Sequence, residues 1–234
     1  MTLGEVWTGA GYLTGIGVFI WMARRHRIAT PHMGLVAGWG LAAAVVGAKL
    51  AQLVSQGWPF KLPFWTVAEP ETGGRALRGG LLAGWLGVEI AKRRLGIKGS
   101  TGDLFAPALA AGEAVGRIGC FFNGCCYGSR CDLPWAVFQH GAWRHPAQIY
   151  SSITAAAMFG VLMWIELSPK RLLPRQGDLF RLYLLLFGAT RFALEFVRWR
   201  ETLLWGLSPM QWFCVELILY AAIGLGTSFR AQLS

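Results

Sequence analysis

The sequence predicts an all-α integral membrane protein with seven transmembrane helices, and three observations predict it. First, 54% of the 234 residues are hydrophobic and only 15% are charged. Soluble domains carry roughly 25% charged residues, so this chain cannot cover a water-facing surface in the usual way. The same composition excludes a disordered, coiled-coil or collagen-like chain. Second, the apolar residues fall into seven stretches near the length of about 20 that a hydrocarbon core of about 30 Å requires. Third, basic residues gather after alternate stretches. Twelve tryptophans agree with this class, since indole rings favour membrane interfaces.

The first stretch covers about 9–23. Residues 1–7 ahead of it carry Glu5 and no Lys or Arg, so it is not flanked like a cleavable signal peptide and is expected to remain in the mature chain. Arg24, Arg25 and Arg27 follow it. The second covers about 34–54 and contains Lys49, whose stem can snorkel. An irregular outer arm is expected over about 58–74, where Pro59, Pro63 and Pro70 interrupt Phe60, Phe64 and Trp65. The third stretch, about 76–91, is short and carries Glu89; Lys92, Arg93, Arg94 and Lys98 follow. The fourth covers about 104–122, with an outer loop at about 129–143. The fifth covers about 147–165, followed by Lys170, Arg171 and Arg175. The sixth covers about 179–197. The seventh covers about 210–229 and precedes Arg230. If the helices alternate, 11 of these basic residues face one side, which the positive-inside rule assigns to the cytoplasm. The N-terminus is then outside and the C-terminus inside. Topology thus accounts for most of the net charge of +10, and no nucleic-acid partner is expected. The 31 glycines suit close helix packing. No repeat or soluble domain interrupts the chain, so 1–234 is expected to be a single membrane domain.

Charges inside the apolar stretches single out candidate residues. Arg117 lies in the fourth, Arg191, Glu195 and Arg198 in the sixth, and Arg78 at the outer start of the third. A charge at bilayer depth costs about 2.5–3.5 kcal/mol on insertion scales, so each should face a partner or a wet cavity. In the alternating topology Arg117 and Arg191 both fall in the outer half of the membrane. The i, i+4, i+7 spacing places Arg191, Glu195 and Arg198 on one face of a continuous helix. Glu195 would neutralise Arg191 and leave Arg117 for a ligand. Converging guanidinium groups suit an anionic phosphate, because each offers paired donors in a fixed fork. A purely structural Arg191–Glu195 pair and a snorkelling Arg198 are the plainer readings.

The segment around Arg117, GEAVGRIGCFFNGCCYG at 112–128, resembles the signature of bacterial prolipoprotein diacylglyceryl transferases. TGGRALRGGLLAG at 72–84, RHPAQIY at 144–150, GATRFALEFVR at 188–198 and SPMQ at 208–211 resemble further family segments, in order. Gly47-Ala48-Lys49 stands where members often have Gly-Gly-Arg. The resemblance runs from about residue 34 to the C-terminus. It implies a seven-span enzyme of the bacterial inner membrane, with its active site toward the outer face, that moves a diacylglyceryl group from phosphatidylglycerol to the thiol of a lipobox cysteine in a preprolipoprotein. Glycerol phosphate leaves. The implied partners are phosphatidylglycerol, lipobox-containing preproteins and membrane lipids, with no cofactor. By matching position, Arg117 and Arg191 would hold the phosphate and stabilise the leaving group; Asn123, Gly128, Glu195 and Arg198 would shape the pocket; Gln148 and Tyr150 would brace it.

The chain also departs from the family pattern. Arg78 stands where the family has a His, Cys120 replaces an Asn, Cys125 replaces a Glu and Phe187 replaces a Tyr. The loop at 129–143 is shorter than the family's small head region. A protonated Arg is a poor base, so thiol activation must come from another group or from electrostatics. These departures keep two alternatives in view: a phosphatidylglycerol-dependent transferase with another acceptor, and a phospholipid-binding or translocating protein without catalysis.

Four of the five cysteines, Cys120, Cys125, Cys126 and Cys131, lie within twelve positions at the outer end of the fourth stretch. Three readings stand: a disulfide on the oxidising side, thiols packing as small hydrophobes, or a metal site or reactive thiol. C-x4-C-C-x4-C is not a familiar zinc spacing, so no metal is expected. Cys214 is read as a packing residue. His145 is read as a hydrogen-bonding residue before Pro146, His26 and His32 as inert members of the basic loop, and His140 stays open.

Overall fold

The computed structural model describes residues 2–27, 30–55, 77–170, 172–198 and 205–233. These form seven α-helices and one small β-hairpin. In chain order the helices are α1 (Leu3–Arg25), α2 (Thr30–Ser55), α3 (Leu77–Arg94), α4 (Gly102–Phe122), α5 (Ala147–Leu167), α6 (Asp178–Leu194) and α7 (Pro209–Leu233). The strands β1 (Val137–Gln139) and β2 (Ala142–Arg144) lie between α4 and α5. Every expected stretch therefore coincides with a helix. The expected outer arm at 58–74 and the side chain of Arg78 lie outside the described residues.

Five of the helices are long and apolar enough to cross a membrane: Leu3–Arg25, His32–Val54, Gly102–Phe122, Ala147–Leu167 and Pro209–Gln232. The two others fall short for identifiable reasons. α3 has only 18 residues and ends in Lys92, Arg93 and Arg94. α6 has 17 residues, about 26 Å at 1.5 Å per residue, and carries Asp178, Arg181 and Arg191.

The chain divides into two compact units, residues 1–22 with 100–234, and residues 23–99. In the smaller unit α2 and α3 meet through small residues. A Cβ on Gly79 would lie 2.5 Å from the Gly47 carbonyl oxygen, and one on Gly84 would lie 3.1 Å from the Ala44 Cβ. Such contacts let backbones approach closely, which matters where no hydrophobic effect drives helix association.

The larger unit uses the same device between α1 and α4. A Cβ on Gly11 would sit 2.8 Å from the Gly116 Cα, and one on Gly15 would sit 3.1 Å from the Ala108 carbonyl oxygen. Phe19 and Phe105 close the far end of that contact at 4.8 Å. At one end of the bundle Asp103 of α4 accepts hydrogen bonds from the Gly177 and Phe180 amides at 2.6 and 3.0 Å. These amides belong to the open N-terminus of α6, whose dipole favours a carboxylate. Fully buried Asp178 accepts from Arg181 at 2.6 Å and from Ser228 of α7 at 2.9 Å. These bonds fix α4, α6 and α7 together and so position the opposite end of the bundle.

The segment read as an outer loop at 129–143 folds as a hairpin. β1 and β2 pair antiparallel with Val137 opposite Arg144 and Gln139 opposite Ala142. The connecting His140 and Gly141 have φ of 49° and 72°, the two positive values that a tight two-residue hairpin turn requires. Phe138 and Trp143 pack edge to face across the strands at 5.7 Å and are mostly exposed.

Candidate functional site

The expected arginines sit on α4 and α6 of the larger unit. On α4 the one-turn spacing of Glu113 and Arg117 brings their side chains together. Arg117 donates from Nε and Nη2 to the same Glu113 Oε1, at 3.1 and 2.9 Å. On α6, Arg191 Nη2 lies 3.0 Å from Glu195 Oε2. Both residues of that pair are about nine-tenths buried, at 8% exposure each. Arg191 Nε and Nη1 are buried and have no hydrogen-bond partner among the described residues. A buried, charged donor without an acceptor costs several kcal/mol unless something fills the position.

This differs from the expected division of labour. Glu195 does pair with Arg191, and Arg117 is itself paired with Glu113 through Nε and Nη2. Among the described residues, the buried guanidinium donors without a hydrogen-bond partner are those of Arg191. Glu113 escaped the sequence reading, although Glu-x-x-x-Arg at 113–117 is the spacing of a helical ion pair.

Arg198 also differs from expectation. α6 ends at Leu194, with Glu195 as its cap, so Arg198 does not continue the helix face. Beyond the cap the backbone turns away to pair with the segment after α4. Ser129 donates its amide to the Val197 carbonyl at 2.9 Å, and Gly128 and Arg198 form an antiparallel bridge. This pairing competes with continuation of the helix through apolar Phe196 and Val197, and prevails. Gly128 is required at that crossing, because a Cβ there would meet the His145 carbonyl and side chain and would lie 2.8 Å from the Val197 oxygen. Arg198 nevertheless remains in the charge cluster. Arg191 interacts electrostatically with Arg198, Glu195, Arg117 and Glu113, so three guanidinium groups face two carboxylates.

A narrow cleft of about 10 Å³ opens between α4, α5 and α6, lined by Glu113, Ser151, Thr154, Phe187, Thr190 and Arg191, among others. That is room for roughly one water. The acceptors that helical serine and threonine hydroxyls usually find are present: Ser151 and Thr190 donate to Ala147 and Leu186 carbonyls, each at 2.8 Å. Phe187, where the family pattern has Tyr, adds only an apolar wall and stacks on Tyr183 at 5.8 Å.

The other expected site residues surround this core rather than line the cleft. Asn123 caps α4, with its amide donating to the Gly119 carbonyl at 2.9 Å. Gln148, almost wholly buried, donates from Nε2 to the Cys125 carbonyl at 2.7 Å and to Gln139 Oε1 at 3.2 Å. Tyr150 accepts from Trp135 Nε1 at 2.7 Å, and His145 Nδ1 lies 3.5 Å from the same hydroxyl. Arg144, not singled out from the sequence, donates to the Gln139 and Gly128 carbonyls at 3.0 and 3.3 Å and lies 4.7 Å over the Tyr127 ring. It ties the hairpin to the Gly128 crossing. His140 Nε2 hydrogen-bonds the Gly124 carbonyl at 2.6 Å.

All five cysteines carry free thiols in this structure, with Cys214 fully buried in α7. Cys120, Cys125 and Cys126 have their sulfurs within 4.8 Å of one another; Cys131 is outside that group. The thiol hydrogen bonds within the trio draw the Cys126 thiol below its ordinary range, with Arg198 and Arg117 adding positive charge, and push Cys125 up.

Comparison with known proteins gives a consistent answer. The family model described as prolipoprotein diacylglyceryl transferase matches residues 5–227. Among curated proteins, the phosphatidylglycerol–prolipoprotein diacylglyceryl transferase of Polynucleobacter asymbioticus is 32% identical over 91% of this chain and 87% of its own length. The protein of the same name from Polynucleobacter necessarius subsp. necessarius is 31% identical over 97% and 92%. That from Finegoldia magna is 26% identical over 95% and 89%.

Proposed function

The chain belongs to the prolipoprotein diacylglyceryl transferase family, and from that premise we propose that it transfers a diacylglyceryl group from phosphatidylglycerol to the thiol of a lipobox cysteine in a preprolipoprotein. The observation that carries this reading is Arg191: a buried guanidinium, balanced by Glu195 through one nitrogen, with Nε and Nη1 unpartnered among the described residues. A lipid phosphate supplies the paired acceptors those donors lack.

In the proposed reaction the acceptor thiolate attacks the diacylglyceryl carbon that bears the phosphate ester oxygen. A C–S bond forms, the C–O bond breaks, and its electron pair leaves with glycerol phosphate. The thiol proton passes, directly or through water, to that departing phosphate, so charge balances without a cofactor. Arg191 stabilises negative charge as it collects on the leaving oxygens, an effect that grows in a site shielded from water. Arg117, held by Glu113, keeps a second positive charge in the same field, and Arg198 adds a third. Asn123, Gly128, Gln148 and Tyr150 hold the backbone on which these charges stand. Arg78 is assigned to the lipid phosphate by its position in the sequence.

The proposed setting is the bacterial inner membrane, with seven crossings, the N-terminus outside, the C-terminus inside and the arginine cluster toward the outer face. The basic residues after α1, α3 and α5 support it. α3 and α6 cross in this reading despite their length, because Glu89–Lys92 and Asp178–Arg181 ion pairs offset charge near their ends.

The decisive experiment supplies the purified protein in detergent with phosphatidylglycerol and a lipobox peptide. The expected result is a peptide heavier by one diacylglyceryl group and an equal amount of glycerol phosphate. Glycerol phosphate without lipidated peptide would point to a different acceptor. Phospholipid binding with neither product would leave a binding protein and overturn the transferase reading.

A further inference from the structure

We infer that Cys120, Cys125 and Cys126 form a three-sulfur site for one thiophilic d10 metal ion, with Cu(I) the best match. The inference stands apart from the transfer reaction.

The starting point is how α4 ends. The Gly124 amide donates to the Phe121 carbonyl and the Cys125 amide donates to the Cys120 carbonyl, each at 3.1 Å. Gly124 is left-handed at φ 64°. This is a Schellman cap, in which the side chains three residues before and two after the cap residue commonly touch. Contact between Cys120 and Cys125 is therefore what the cap alone produces, and two small hydrophobes would suffice for it. The third sulfur is not explained that way. Cys126 has φ 60°, a conformation that costs a residue with a Cβ roughly 1–2 kcal/mol. Surrounding structure holds it there. Buried Gln148 grips the Cys125 carbonyl at 2.7 Å, and two residues on the Gly128 amide donates to the His145 carbonyl at 3.1 Å. The strain brings Cys126 into the group and completes a triangle of sulfurs within 4.8 Å. Strain of this kind, overdetermined by its surroundings, gathers at functional positions.

The triangle has the dimensions of a metal site. Sulfurs bound to one ion at about 2.3 Å stand about 4 Å apart, so closure by less than about 1 Å suffices. Among the described residues the group contains no imidazole or carboxylate, and an all-sulfur donor set selects soft ions. Three thiolates complete trigonal coordination of Cu(I), whereas Zn(II) asks for a fourth ligand, which water would have to supply. As the ion binds, each thiol gives its proton to water. Three thiolates around Cu(I) retain negative charge, and Arg117 and Arg198 stand close enough to Cys126 to offset it. Access is open, because Cys125 is exposed and the other two are half-buried. The spacing in the sequence hides the site, since the ligands meet only through a helix cap and one strained residue.

The test uses the whole protein in detergent, purified reduced and without oxygen. Cu(I) is titrated against a coloured competing chelator, and Zn(II) is titrated in a parallel arm. The expected result is one Cu(I) per chain, with thiolate-to-copper absorption in the near ultraviolet, and weaker Zn(II) binding. Cys125→Ser and Cys126→Gly should each weaken Cu(I) by more than about 100-fold, since loss of even an outer-shell partner costs roughly 10- to 100-fold. Cys126→Gly suits the left-handed backbone, so its fold should survive and a loss of binding there reports the sulfur alone. Substoichiometric copper, or copper retained unchanged in both variants, would overturn the inference. So would an S–S bond among the three in protein isolated under thiol-blocking conditions, which would make the cluster a disulfide.

Discussion

Replacing Arg191 by Lys separates charge from hydrogen-bond geometry at the centre of the site. The guanidinium uses Nη2 for Glu195 at 3.0 Å and leaves Nε and Nη1 without partners among the described residues. A lysine ammonium can keep the ion pair with Glu195, so folding should change little. It cannot also present two parallel donors to a phosphate. Charge-assisted hydrogen bonds contribute about 1.5–3 kcal/mol each, but part of that is already realised when the lipid binds. The loss that reaches the transition state should resemble removal of one preorganised donor, about 10²–10³ in rate or roughly 2.7–4 kcal/mol. The assay is glycerol phosphate release from phosphatidylglycerol with a lipobox peptide, beside a thermal melt. Arg191→Met serves as the contrast, since it strands a buried Glu195 and should cost about 3–5 kcal/mol of stability. If Arg191→Lys stays within about threefold of the parent rate, about 0.7 kcal/mol, the free donors do not meet the transition state and the phosphate assignment fails.

Other expectations test the supports of that site. Glu113→Gln should destabilise the protein and slow transfer together, because it removes the carboxylate that receives both Arg117 bonds; parallel melts and turnover check this. Gln148→Ala should cost about 1–3 kcal/mol by orphaning the Cys125 carbonyl, read as a lower melting temperature with substrate affinity little altered. Gly128→Ala should weaken folding by about 1–3 kcal/mol through overpacking against His145 and Val197, seen as poor yield of folded protein. Single-cysteine labelling in a cysteine-free background should find Thr2 outside and Ser234 inside; the reverse would remove the proposed outer-face site.

The parts of this structure that were legible in the sequence are those set by local pattern. Apolar runs of bilayer length located all seven helices, because hydrophobicity over about 20 residues is a strong signal. The Arg191–Glu195 pair was legible because i, i+4 spacing needs only a helix. The same rule placed Arg198 wrongly, since nothing local announces that 128–129 will capture the backbone at 197–198. The hairpin was obscured for a similar reason: its strands have three residues each, and His140-Gly141 is a weaker turn signal than Asn-Gly. The sulfur triangle depends on a helix cap and one left-handed cysteine, neither of which a spacing rule expresses.

Charge accounting explains why such a cluster can exist at the end of a membrane bundle. Three isolated guanidinium groups at bilayer depth would cost about 2.5–3.5 kcal/mol each on insertion scales. Glu113 and Glu195 reduce that demand by pairing with Arg117 and Arg191 along their own helices, without requiring α4 and α6 to be docked first. Each helix can thus enter the membrane nearly neutral. Only after α4 and α6 associate do the fields of Arg117, Arg191 and Arg198 overlap, and only then is there an excess of positive charge. The excess belongs to the assembled site, where an anionic headgroup can answer it. Neither helix alone carries it. Arg191 is the residue at which this excess is concentrated, because Glu195 lies 3.0 Å from Nη2 while Nε and Nη1 have no hydrogen-bond partner among the described residues. Two buried donors without a partner among the described residues are what the proposed phosphate site would use and what a purely structural ion pair would not need.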